Sequence, residues 1–150
     1  MKIKYCIEKI EQQDLSNLFS TAIFGSEWLG SEVDDYKYQE DFINADKCDC
    51  YEDQLAVALL SGGKIILKDY YAEDKTDKYG SVKSEWDEDD LCMRYEITLK
   101  DVKNGLEKAL EDSEYSQDCV LNLANNPCNL DISEAEVICQ YIMFGENIYG

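Results

Sequence analysis

The 150-residue chain carries 33 acidic and 14 basic residues and no histidine, a formal charge of −19, and 45% of it is apolar. Apolar content of this order supports a buried core rather than disorder, and at this length one domain over 1–150 is expected. The charge excludes a surface that attracts nucleic acid, nucleotides or anionic lipid, and favours basic proteins or divalent cations as partners.

The start, MKIKYCIEK, has no apolar stretch of the signal-peptide kind, and no apolar run is long enough to span a bilayer, so a cytoplasmic protein is expected. Lys2 to Ile7 alternates as a first strand, with Ile3, Tyr5 and Ile7 on one side. Asp14 is placed to cap a helix in which Leu15, Leu18, Phe19, Ala22 and Ile23 recur at the spacing of one buried face, and Gly25 ends it. Gly25 to Asp41, GSEWLGSEVDDYKYQED, follows as an irregular or partly helical segment dense in carboxylates and rings.

Asp49 and Glu52 read as a capping pair for a helix over Tyr51 to Leu60, stopped by Ser61-Gly62-Gly63. Lys64 to Tyr71, KIILKDYY, is a strand. Residues 72–90 lose periodicity, collect charge and end in SEWDEDD, which predicts a long acidic surface loop or a hairpin tip. Leu91 to Thr98 resumes as a strand, most simply paired antiparallel with KIILKDYY. Thr98 and Asp101 open a helix with Leu99, Val102, Leu106, Ala109 and Leu110 inward, and a short helix over Ser116 to Ala124 breaks at Asn125-Asn126-Pro127. The last helix begins near Asp131 or Ser133, buries Ala135, Ile138, Tyr141 and Ile142, and stops at Gly145 before an extended tail, ENIYG. The order predicts a small α+β domain, a short antiparallel sheet packed by about four to five helices.

No motif reaches the specificity of a catalytic signature. Asp69, Glu73, Asp74 and Lys75 hold the residue types of a metal-dependent nuclease, but all four fall within one short stretch, and the surrounding charge repels a phosphodiester. Asp87-Glu88-Asp89-Asp90 lacks the glycine and closing glutamate of a helix-loop-helix calcium site. With no histidine and no Gly-x-Ser-x-Gly elbow, a nucleophile has no visible base. Gly62-Gly63 follows a helix, at the negative end of its dipole, which is the wrong end for phosphate. The seven cysteines, Cys6, Cys48, Cys50, Cys92, Cys119, Cys128 and Cys139, lack zinc spacing and read as reduced, mostly buried thiols, with Cys48 and Cys50 as exceptions. Neither metal nor cofactor is expected, and no enzymatic activity.

TAIFGSEW (Thr21 to Trp28), LLSGGKIILKDY, YEITLKDVKNGLEKAL and QYIMFGENIYG together resemble a family of small acidic proteins encoded by bacteriophages and prophages. In that family the first helix commonly ends in two glycines and a Tyr-Trp pair, where this chain has Gly25 and Trp28. The resemblance covers most of the chain, implies a shared fold and a phage setting, and transfers no catalytic residue.

Carboxylates spread over a folded surface imitate the charge line of a duplex, about one negative charge per 1.7 Å, and rings among them supply contact area. Segments 25–41, 69–90 and 107–118 hold most of the acid. The expected function is inhibition by occupying a basic nucleic-acid site on a bacterial defence or nucleic-acid-processing enzyme, with no nucleic acid bound directly and no membrane. Glu27, Trp28, Glu32, Asp34, Asp35, Tyr36 and Tyr38 form one candidate patch, and Asp74, Asp77, Glu85, Trp86, Asp87, Glu88, Asp89 and Asp90 a second. The alternative is an accessory or scaffold protein that binds a host protein through aromatic residues, its charge incidental. Trp28 is the better candidate for burial and Trp86 for exposure.

Overall fold

A computed structural model describes residues 7–33, 48, 50–125 and 127–150. In chain order these form α1 (Gln12–Gly25), β1 (Leu29–Glu32), α2 (Tyr51–Leu60), β2 (Lys64–Asp69), β3 (Ser84–Asp87), β4 (Cys92–Thr98), α3 (Leu99–Asp112), α4 (Glu114–Asn125), a 3-10 turn (Pro127–Asn129) and α5 (Ile132–Phe144). The expected strand at Lys2 to Ile7 lies outside the described residues except for Ile7, which is buried and helical.

The N-cap of α1 is Glu11, not Asp14. Asp14 is the third helical residue, and its carboxylate accepts the Glu11 N–H at 3.0 Å; an acid there satisfies a free donor from inside the helix as well as a cap does from outside it. The stripe Leu15, Leu18, Phe19 and Ala22 is fully buried, as its spacing predicts. The N-cap of α2 is Cys50, and Asp49 lies outside the described residues. This helix ends in a Schellman turn: Gly62 N–H reaches Leu59 O at 3.2 Å and Gly63 N–H reaches Ala58 O at 2.9 Å, with Gly62 at φ +86°, a conformation glycine adopts without strain.

The sheet is antiparallel throughout, in the order β1-β2-β4-β3. The expected pairing is present as β2 with β4, which sets Ile65 opposite Ile97 and Leu67 opposite Tyr95. These four side chains are fully buried, each contributing about 1.5–3 kcal/mol by leaving water. The acidic stretch 72–90 is not loop throughout, because Ser84–Asp87 pairs with β4. Its alternation puts Trp86 on the core side and Glu85 and Asp87 on the other, a strand pattern that the run of charges hides. Leu29–Glu32, expected to be irregular or partly helical, is the edge strand β1, pairing with Lys64–Asp69 through Leu29 opposite Asp69.

Thr98 caps α3 and Asp131 caps α5, each accepting the N–H of the acid three residues on, at 3.3 and 2.8 Å. The two helices cross at Gly105, where a Cβ would stand 2.6 Å from Ile142 Cα, so this crossing needs a glycine. Gly145, at φ +75°, ends α5. The tail beyond it is tied down: Gln140 Oε1, inside α5, accepts the Ile148 and Tyr149 N–H groups at 2.7 Å each. Helices and inner sheet face share one buried cluster.

Candidate functional site

The sheet's outer face carries three of the acids singled out in the sequence, Glu32, Glu85 and Asp87. Cross-strand register aligns Gly30, Lys68, Arg94 and Glu85 across it, with Glu32, Ile66 and Glu96 in the next row. Lys68 Nζ lies 3.0 Å from Glu32 Oε2 and 3.0 Å from Asp90 Oδ2. Arg94 pairs with the other Glu32 oxygen and lies 3.5 Å from Asp87 Oδ2. The fold thus joins Glu32, Asp87 and Asp90, but turns them onto two of the chain's own cations. The Arg94 hydrogen bond holds Glu32 below the ordinary carboxylate range, against the pull of burial and with help from Lys68. Burial drags the Lys68 ammonium down, and the hydrogen bonds to Asp90 and Glu32 outweigh it, so its pKa rises.

Other acids of the second patch shape their own loops. Asp74 accepts the Thr76 N–H at 2.7 Å and Asp77 the Glu73 N–H at 2.7 Å. Asp87 accepts the N–H groups of Asp89 and Asp90 at 2.9 and 3.1 Å, turning the chain between β3 and β4 as Asx side chains do. Glu27, Glu85, Glu88 and Asp89 are exposed and hold no side-chain ion pair among the described residues. Exposed too are Glu107, Glu111, Glu114 and Asp118 of the third acid-rich segment.

Neither tryptophan is fully exposed. Trp28 is 3% exposed, its ring 5.2 Å from Tyr149 and 6.0 Å from Phe144, and burial removes it from the first patch. Trp86, opposite Met93 on the core side of β3, is partly buried against the core, because strand alternation and not the flanking charge decides its side. Asp34, Asp35, Tyr36 and Tyr38 lie outside the described residues.

The nuclease-like quartet is not a site in this fold. Asp69 is fully buried, accepting Tyr149 Oη–H at 2.6 Å and the Tyr71 N–H at 3.0 Å. Burial raises its pKa, opposed by those hydrogen bonds, while Glu73, Asp74 and Lys75 are exposed on the loop beyond. Among the described residues no three His, Cys, Asp or Glu side chains are grouped to hold a metal ion. Cys92, Cys119 and Cys139 are buried, Cys48 is half-buried and Cys50 exposed. Cys128 is also exposed, because it falls in the 3-10 turn rather than on a helix face.

Sequence reasoning missed the organising cations Lys68 and Arg94, whose partners lie up to 62 residues away. It also passed over Phe24, whose one signal is an aromatic ring placed outside the buried stripe of α1. No family model, curated protein or solved structure matches the chain. Among the described residues no helix is long and apolar enough to cross a membrane.

Proposed function

We propose that the protein is a non-catalytic binder that covers a basic, nucleic-acid-binding surface on another protein, acting by occlusion. The supporting observation is how charge is distributed. Lys68 and Arg94 are enclosed by Glu32, Asp87 and Asp90, while Glu85 on β3, Glu88 and Asp89 at the β3–β4 turn and Glu107, Glu111, Glu114 and Asp118 on α3 and α4 face solvent.

Part of that acid works against folding. None of α1 to α5 has a base in its last turn, and Glu111 sits at the negative end of α3, where a carboxylate costs about 0.3–1 kcal/mol. Acid kept where it destabilises is expected of a surface that serves a cationic partner. The segment resemblance to bacteriophage proteins supplies the partner class, a bacterial defence or nucleic-acid-processing enzyme in the host cytoplasm.

The test uses a partner captured from host extract and purified. Binding should weaken steeply with salt, duplex nucleic acid should compete, and neutralising Glu107, Glu111 and Glu114 together should slow association more than it speeds dissociation. A partner that still binds nucleic acid within the complex defeats this reading.

A further inference from the structure

Phe24 is 81% exposed, more than any other large apolar side chain among the described residues. The backbone that carries it is held in place. Its neighbour Gly25 lies so close to α5 that a Cβ there would stand 2.5 to 2.7 Å from three Ile132 side-chain carbons, and the next residue, Ser26, donates its hydroxyl hydrogen to Glu136. The end of α1 is thereby fixed to the first turns of α5, where Ile132 is itself 47% exposed.

The rim of this apolar spot is acidic. Glu27 and Asp131 are exposed and Glu136 half-exposed. An exposed ring and an exposed isoleucine, carried on the backbone junction that Gly25 and Ser26 fix between α1 and α5, offer apolar area to a partner. A second copy of this chain is a poor occupant, because it would set one acidic rim against another with −19 on each chain. An anionic membrane is repelled by the same charge. We propose that Phe24 and Ile132 form a docking site for a cationic amphipathic protein segment, its apolar side chains over the two residues and its lysines or arginines against Glu27, Asp131 and Glu136. The site is carried on helices rather than on the sheet's outer face, and it does not depend on nucleic-acid mimicry.

The experiment titrates the full chain with a helical peptide built of Leu and Lys, and with the same peptide bearing Ser for Leu. The wild type should prefer the leucine peptide by about tenfold, with amide shifts gathered at Gly25, Ser26 and Ser133. Phe24→Ser alone, at a position 81% exposed whose change leaves the melting transition in place, and Phe24→Ser with Ile132→Ser should each abolish the preference. E107Q, E111Q and E114Q together should leave it intact, so that this site and the acidic surface fail separately. Equal binding of the two peptides, a preference that survives F24S/I132S, shifts gathered elsewhere, or a wild-type dimer in sedimentation that F24S dissolves would each overturn the proposal.

Discussion

The Tyr149 hydroxyl donates to Asp69 Oδ2 at 2.6 Å across 80 residues of sequence, fastening the end of the chain to the buried end of β2. The same ring packs edge-on against Trp28 and Tyr71, so one side chain joins the tail, the first edge strand and the sheet centre.

Tyr149→Phe should therefore cost about 1–3 kcal/mol in chemical denaturation at neutral pH, the penalty for a buried acceptor that loses its donor. The pH dependence follows from Asp69, whose pKa is raised by burial above the ordinary 3.8. A carboxyl raised in the folded state favours folding when protonated, and that contribution is lost as pH rises through its folded value. The variant's deficit should shrink as pH falls toward 4, and Asp69→Asn should relieve it at neutral pH.

Gly105→Ala pits two effects against each other. Alanine improves helix propensity by about 1 kcal/mol, but its Cβ would lie 2.6 Å from Ile142 Cα and 2.7 Å from Ile142 N, backbone atoms that cannot turn aside. Overpacking of that kind costs about 1–3 kcal/mol, and the helices must part to accept it. A net fall in melting temperature is expected by calorimetry.

Glu32→Gln should lower stability by about 1 kcal/mol at neutral pH, since one carboxylate serves both Lys68 and Arg94. Because the folded pKa of Glu32 lies below its ordinary 4.5, its contribution is present above that value and lost as pH falls through the folded one. Denaturation curves for wild type and variant should converge in acid.

Thiol labelling of the native protein should reach Cys50 and Cys128 first among the described cysteines, because both are exposed. Burial pushes the Cys119 thiol up to about 11 and Cys139 up to about 12, so these should react only on unfolding.

What the sequence made legible is what local chemistry determines. Thr98 with Asp101 announces its helix within four residues, the start of the last helix is narrowed to Asp131 or Ser133, and KIILKDYY and LCMRYEIT read as strands that pair because they are consecutive. What stayed hidden depends on distant partners. Leu29–Glu32 contains Gly30 and Ser31, poor strand formers, and becomes a strand only through its register with Ile66 to Asp69. Glu32 reads as free surface charge until Arg94 is found beside it. Trp86 reads as exposed until β3 turns it inward.

Among the described residues the strand order leaves β1 and β3 as the two margins of the sheet. Each is only four residues long, and between them they hold Glu32, Glu85 and Asp87. Short charged margins offer a stray strand from another chain little to zip onto, so the sheet resists edge-to-edge aggregation while its carboxylates are ionised. The same margins become adhesive in acid, where cloudiness should precede unfolding.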